Sequence, residues 1–225
     1  MRENAKVLRR SRGRPQIRPD SETLHLIFEA ARAEFALQGY AGTSMNAVAC
    51  RAGVSTKTMY RLIPTKAELF QRIVADRMER FLSALDIDAL DRLPIAEALE
   101  RMLRTYGELT LSADVIVMNQ LVISERHRFP ELASYFYATA VVQSRETMAT
   151  WLERQCQRGL IATEDPHLAA EALRGMMIMD PQRAVMLGQR RLPEPAEIAA
   201  RATWCAQLFL GGCRVRHPEP GTISF

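Results

Sequence analysis

The sequence lacks the clustered cysteines and histidines that build metal centres, disulfide frameworks and redox sites. The four histidines are scattered, and the four cysteines stand singly rather than in close pairs. We therefore expect no metal site and no cofactor, and we expect the thiols to be buried or half-buried in a reducing cytoplasm. These cysteines are Cys50, Cys156, Cys205 and Cys213.

Long apolar runs are also missing. No stretch approaches the length needed to cross a bilayer, and the basic N-terminus is not followed by the apolar segment of a signal peptide. The chain has no nucleophile elbow and no glycine-rich phosphate loop, and Glu125 beside His127 is more simply a polar loop end than an acid–base pair. These absences argue against a membrane protein and against an enzyme.

Alternation of apolar and polar residues over the length of a strand is absent, whereas helical periodicity runs through most of the chain. The chain has 225 residues, of which 48% are hydrophobic, so it can build one core or two smaller ones. We predict an all-α fold.

Positive charge is concentrated near the N-terminus. The net charge is +4, yet residues 1–19 hold seven basic residues and a single acidic one, Glu3, so that the rest of the chain carries a net charge of −2. Such localised charge favours a confined contact with nucleic acid over a generally adhesive surface.

Residues 43–69 predict two short helices, a turn between them and the start of a third helix. Ser44 and Ser55 are suited to cap the two short helices, and Gly53 is suited to end the first in the left-handed conformation. A capping box at Thr65 opens the third helix.

The second short helix carries the polar and basic side chains of a DNA-reading element. Residues 43–66 include four basic residues and no acidic one. Two helices of about two turns each are not stable alone, so they must pack on a longer neighbour. This combination is typical of a helix-turn-helix whose second helix enters the major groove. The basic residues are Arg51, Lys57, Arg61 and Lys66.

The order and spacing of these residues resemble the DNA-binding signature of TetR-type transcriptional regulators. The likeness covers about residues 24–70, with Ile63 where the family usually has an aromatic residue and Leu62 where it often has a histidine or another polar residue. Residues 125–137 resemble the subgroup with an AefR-like C-terminal domain. The matching segments are Gly39-Tyr40, Gly42-Thr43-Ser44, Ala52-Gly53-Val54-Ser55, Thr58-Met59-Tyr60 and Pro64-Thr65-Lys66 with Leu69.

The resemblance implies a dimeric, ligand-responsive regulator, most often a repressor, whose partners are an operator in double-stranded DNA, a second copy of the chain and a small-molecule effector. Two recognition helices held about 34 Å apart would meet a palindromic operator in successive major grooves. Thr56, Lys57 and Thr58 are predicted to face bases. The other predicted DNA-binding residues are Ser44, Tyr60 and Lys66 at phosphates, Ser55 and Arg61 on the second short helix, and Arg12 and Arg14 in the N-terminal arm.

The arm contains a short motif of its own. Residues 12–15, Arg-Gly-Arg-Pro, resemble the core of an AT-hook, in which extended arginines lie along a narrow A·T minor groove. A disordered basic tail that only adds non-specific phosphate attraction explains the same residues equally well. The arm also supports an alternative function, an architectural protein that binds A·T-rich DNA through residues 1–19 alone.

A first long helix, capped by Asp20 or Ser21 and ended by Gly39, supplies the neighbour that the short helices need. The helix opening at Lys66 is long enough to leave this three-helix DNA-binding head, enter a helical ligand-binding and dimerisation domain and transmit motion between the two. The predicted later helices cover residues 94–112, 113–128, 130–158, 166–189 and 195–211. The predicted units are a disordered arm at 1–19, the head at 20–66, the second domain at 67–213 and a tail at 214–225.

The second domain is predicted to hold a small hydrophobic effector. Methionine side chains are soft and tyrosine and tryptophan are amphipathic, which suits such a ligand, although core packing is the better explanation of any single one. The candidate pocket residues are Met102, Tyr106, Met118, Tyr135, Met148, Trp151, Met176 and Met177.

Each of the last two helices carries a stripe of residues at heptad-like intervals. Small residues on such a stripe allow close helix packing, either inside the chain or, as the resemblance favours, against a second copy. Pro181 is expected to kink or split the penultimate helix. The predicted interface residues are Leu168, Ala172, Gly175, Met179, Ile198, Ala202, Cys205 and Phe209.

Overall fold

The chain folds into helices joined by short turns, which confirms the predicted all-α fold. The structure is a computed structural model, and it describes residues 19–212. The helices are α1 (Asp20–Gly42), α2 (Met45–Arg51), α3 (Thr56–Leu62), α4 (Lys66–Leu85), α5 (Ile87–Leu90), α6 (Ile95–Thr110), α7 (Ala113–Glu125), α8 (Pro130–Phe136), a π-helical segment (Tyr137–Val142), α9 (Gln143–Gln157), α10 (Pro166–Met186) and α11 (Pro195–Gly212).

The start of the first helix differs from the prediction, whereas its interruption at Gly39 agrees with it. Pro19 occupies the N-cap, and the Thr23 hydroxyl donates to the Pro19 carbonyl at 3.1 Å. The predicted capping role of Asp20 or Ser21 is therefore wrong, because both residues lie inside the first turn. The end is as predicted: Gly39 has a φ of 67° and interrupts the helical conformation.

Hydroxyl side chains fix the starts of the next three helices, as the sequence predicts. Ser44 accepts a hydrogen bond from the backbone of Ala47, and Ser55 accepts one from Thr58. Thr65 accepts from the backbone of Glu68, whose carboxylate pairs with Arg72 instead of returning to the cap. Only one half of the predicted capping box therefore forms.

Two buried clusters organise the interior. One surrounds α1 to α4, and it includes Met118 and Leu121 from α7 and Leu132 from α8. The three-helix head therefore shares its core with two later helices, which the sequence did not predict. The other cluster surrounds α6, α9, α10 and α11.

Close packing of α6 against the last two helices centres on Gly107. A Cβ atom at this position would overlap the Met177 side chain and would lie 2.8 Å from Cγ2 of Ile198. Pro181 is buried within α10, and the helix continues through it, so the expected split does not occur.

The later helices match the prediction with two exceptions. The short helix α5 lies between the helix that opens at Lys66 and the one predicted to begin at residue 94, where no helix was predicted. The single helix expected over residues 130–158 is interrupted by the π-helical segment. Within residues 19–212, no helix has the length and apolarity required to cross a bilayer. Cys205 is buried and Cys156 half-buried, but Cys50 is exposed, contrary to expectation.

Candidate DNA-binding surface and ligand cavity

The N-terminal end of α3 presents polar side chains to solvent. Thr56 and Lys57 are exposed and occupy the first two positions of the helix. Ser55 caps the helix, and its hydroxyl lies 2.9 Å from that of Thr58. The Thr58 hydroxyl is thus held against the cap, whereas Thr56 and Lys57 are available to read base edges.

Two of the basic side chains in the head are held by acids of α1. The Arg61 guanidinium donates two hydrogen bonds to the Asp20 carboxylate, at 2.7 and 3.0 Å. This pairing lowers the pKa of Asp20 and raises that of Arg61. Arg51 pairs with Glu34 at 2.6 Å. These contacts fix α2 and α3 on α1 and compete with the predicted DNA role of Arg61.

Lys66 points into the protein. Its ammonium donates to the carbonyl oxygens of Tyr40, Ala41 and Thr43, at 2.6, 3.4 and 2.8 Å. All three N–H groups are occupied, which leaves this ammonium no free N–H group for the predicted contact with a DNA phosphate. The end of α1 leaves carbonyl groups without helical partners, and Lys66 satisfies them from the start of α4. Burial lowers the pKa of Lys66.

The remaining predicted DNA contacts differ in their placement. Ser44 is exposed at the start of α2, and Tyr60 on α3 has 47% of its surface exposed. Both are free to meet a phosphate. Arg12 and Arg14 lie outside the described residues.

A cavity of about 510 Å³ lies between the head and the later helices. Its walls come from α1, α4, α6, α7, α8, the π-helical segment, α9 and α10. The apolar lining consists mainly of Ile73, Val74, Met78, Leu109, Val115, Met118, Phe136, Tyr137, Ala140, Val141, Ile178 and Met179. A cavity of this size and lining suits a small apolar molecule.

Four arginines also line the cavity: two lie near carboxylates, and two donate hydrogen bonds to hydroxyl groups. Arg32 lies 3.8 Å from Asp114, and Arg145 lies 3.0 Å from Glu171. Arg77 donates from Nη2 to the Ser112 hydroxyl at 2.9 Å, and its Nε is buried without a hydrogen-bond partner. The fourth, Arg174, donates from Nε to the hydroxyl oxygen of Tyr106 at 3.0 Å. Burial raises the pKa of that tyrosine.

The cavity contains only part of the predicted pocket set. Tyr106 and Met118 line it, whereas four members belong to the core around α6. Their helical spacing is that of core residues, and periodicity alone does not distinguish a core wall from a cavity wall. Tyr135 packs against the head core and Met176 against the second core. The four core members are Met102, Met148, Trp151 and Met177.

The sequence feature that best indicates the cavity is a basic residue on the buried face of a helix. Arg77 follows Ile73 and Val74 on the buried face of α4, where an unpaired cation is unexpected in a core. No comparable pattern pointed to Arg32, because the face of α1 on which it lies carries both polar and apolar residues.

The predicted dimer residues divide between the inside and the outside of the chain. Ile198, Ala202, Cys205 and Phe209 are buried in the core, so the predicted stripe on α11 is an internal packing face. Gly175 and Met179 border the cavity. Met179 is nevertheless 55% exposed, and Leu168 is 62% exposed. Ala172 is also exposed.

The outer face of α11 carries a different pair of apolar side chains. Trp204 and Leu208 are 56% and 53% exposed, and they lie one helical turn apart. Leu168, Ala172 and Met179 of the adjacent α10 are exposed as well, and these five residues are here called the outer face. Sequence reasoning selected the opposite side of α11 because both sides are apolar at helical spacing.

Two family models match the sequence. Residues 27–73 match the model described as bacterial regulatory proteins of the tetR family, and residues 97–212 match the C-terminal domain of AefR-like transcriptional repressors. No curated protein matches the chain.

Several solved structures share the fold. A TetR-family transcriptional regulator from Mesorhizobium loti is 26% identical, with 88% of this chain and 100% of that chain covered and a TM-score of 0.76. The flavonoid-responsive regulator FrrA is 26% identical with the same coverage of both chains and a TM-score of 0.68. FadR from Bacillus subtilis, solved in complex with stearoyl-CoA, shares the fold at 20% identity, with 84% and 98% of the two chains covered and a TM-score of 0.67.

Proposed function

The chain belongs to the TetR family of bacterial transcriptional regulators, and from that premise we propose that it is a repressor released from a palindromic operator by a small apolar effector. It acts in the cytoplasm, as a homodimer, without catalysing a reaction. The observation that carries the proposal is that the cavity has walls from both α1 and α4, the two helices on which the DNA-reading unit is mounted.

On the DNA side, α3 enters the major groove with Thr56 and Lys57 at the base edges. Ser44 and Tyr60 bind the flanking phosphates and set the register, as such contacts generally do. Two copies of α3 held about 34 Å apart read the two halves of the operator.

Dimerisation uses the outer face of α10 and α11. A second copy placed on this face covers Leu168, Met179, Trp204 and Leu208, which are otherwise left in water. A two-fold axis lets the same patch serve both subunits.

Effector binding changes operator affinity through the shared walls. Arg32 of α1 and Arg77 of α4 line the cavity, so a molecule that fills it contacts the supports of the head directly. A hundredfold loss of operator affinity requires about 2.8 kcal/mol of differential effector binding between the two arrangements of the heads.

The test begins with the purified protein and the DNA flanking its own gene. Binding is compared with that to a scrambled fragment of equal length across a salt series. We expect preference for the native fragment to survive at higher salt, whereas backbone attraction alone falls steeply for both fragments. Equal binding to both at every salt concentration contradicts the proposal for that DNA.

The second stage uses the bound operator to screen small molecules. A molecule that occupies the cavity should release the operator, and its effect should be lost when Val115, which lines the cavity and belongs to neither buried cluster, is enlarged to tryptophan. Tight binding in the cavity without a change in operator affinity contradicts the proposed coupling.

A further inference from the structure

The cavity contains two positive charges that no carboxylate balances. Within the part of the chain that the structure describes, neither Arg77 nor Arg174 has an acidic partner at ion-pair distance. Their hydrogen bonds go to neutral hydroxyl groups, those of Ser112 and Tyr106. The Nε of Arg77 is buried and has no hydrogen-bond partner.

Both carboxylates of the cavity lie within ion-pair distance of the other two arginines. Asp114 faces Arg32 at 3.8 Å, and Glu171 accepts from Arg145 at 3.0 Å. Among the described lining residues these are the two acids, against four arginines. The wall therefore carries an excess of positive charge beside an apolar surface.

An excess of positive charge beside an apolar surface is unfavourable unless a negative group balances it. A guanidinium removed from bulk water loses hydration, and neutral hydroxyl partners restore only part of that loss. An anionic oxygen group would supply the missing countercharge, and a planar guanidinium binds a carboxylate through two parallel hydrogen bonds.

We propose that the effector is an amphipathic molecule with a single anionic group, and that Arg77 is the main contact of that group. Its apolar body lies against side chains such as Ile73, Val74 and Met118. Arg174 adds positive charge to the same cavity, although it already lies over the Tyr106 ring with a centroid distance of 5.4 Å. This inference rests on the proposed function only in treating the cavity as the effector site.

The test uses two matched pairs of probes and calorimetric titration without DNA. Dodecanoate is compared with dodecanol, and 2-naphthoate with 2-naphthalenemethanol. The two members of each pair have a closely similar hydrocarbon part, and they differ in carrying a carboxylate or an alcohol. We expect the anion of at least one pair to bind about tenfold or more tightly than its neutral partner, as charge-assisted hydrogen bonds require.

Variants then assign the preference to Arg77. Arg77→Met should remove most of the discrimination between anion and alcohol, while Arg77→Lys should keep part of it because the charge remains. Arg104→Met is the matched control, since Arg104 lies outside the cavity and 3.9 Å from Glu108. Each variant is first checked for an unchanged thermal transition, and Arg77→Lys serves if Arg77→Met does not fold.

Equal binding of anion and alcohol in both pairs, no binding of either anion, or a preference that the Arg77 variants leave undiminished would overturn the inference. Operator release is measured separately. Anion binding that depends on Arg77 but leaves operator affinity unchanged would support the inference and contradict the proposed function, so the two failures are distinguishable.

Discussion

The ammonium of Lys66 lies 4.6 Å from the centre of the Tyr40 ring and donates a hydrogen bond of 2.6 Å to the Tyr40 carbonyl oxygen. The first residue of α4 is thereby joined to the end of α1. The same corner receives Glu125 from the end of α7, whose carboxylate accepts from the backbone of Ala41 at 3.1 Å. Three helices that border the cavity therefore meet beside the DNA-reading unit.

Replacing Lys66 with methionine should destabilise the protein more than it weakens DNA binding. The change leaves the carbonyls at the α1 end without their donor, at a cost of about 1.5–3 kcal/mol in the free energy of unfolding. Urea denaturation measures this cost, with Lys57→Met at an exposed position as the control. A loss of DNA affinity at unchanged stability would indicate a phosphate contact instead.

Lys57→Ala should change sequence preference without changing stability. Lys57 is exposed on α3, and a base contact is worth about 1–3 kcal/mol of discrimination. Binding to operators with single base changes should show a relaxed preference at one or two positions. Arg72→Ala, on α4 and beside Glu68, serves as the control. If Lys57→Ala weakened binding to every sequence equally, Lys57 would be a phosphate contact.

Leu208→Glu should convert the proposed dimer to a monomer, because it places a charge on the outer face. Sedimentation velocity measures the change. Leu160→Glu is a matched control, since Leu160 is 42% exposed in the turn after α9 and belongs to neither α10 nor α11. A Leu208→Glu protein that stays dimeric would place the interface elsewhere.

Deleting residues 1–18 should preserve operator preference. The deletion leaves Pro19, which caps α1, and removes seven basic residues and Glu3. We expect weaker binding to all DNA and a shallower dependence of affinity on salt, because fewer phosphates are neutralised. Loss of nearly all binding would favour the architectural alternative, in which the arm is the DNA-binding element.

Glu197→Gln should lower the melting temperature near neutral pH and have little effect in acid. The Glu197 carboxylate accepts from the backbone of Glu194 and from Arg191, which lowers its pKa to about 2. A lowered pKa contributes stability above the usual value of 4.5, and that contribution is lost as the pH falls toward about 2. The difference in melting temperature between wild type and variant should therefore shrink below pH 4.5. A constant difference would show that the charge is not responsible.

Local chemistry made much of the fold predictable. Ser44, Ser55 and Gly53 act within a few residues of where they stand, so their positions in the sequence determine where the short helices start and stop. Pro130 and Pro166 likewise begin α8 and α10, at the residues where the predicted helices begin. The sequence also predicted that Thr56 and Lys57 would be exposed at the start of α3.

The errors concern partners that lie far away in the sequence. Lys66 was assigned to DNA because it stands among basic residues, but its acceptors belong to the end of α1. Cys205 and Trp204 are neighbours on a helix with two apolar sides, and periodicity does not reveal which side faces α6 and which is left outside. Arg32 reaches the cavity through tertiary packing that no local pattern records.

The shared core of the head has a consequence for engineering. Exchange of DNA-reading units between regulators assumes that each unit carries its own interior, yet Met118, Leu121 and Leu132 complete the interior of this one. A chimera joined within α4 would place these side chains against a foreign surface, and it would also replace Arg32, which forms part of the cavity wall. In this protein a new DNA specificity is better introduced by changing the exposed residues of α3 than by transplanting the whole unit, because only the former leaves the shared core and the cavity wall unchanged.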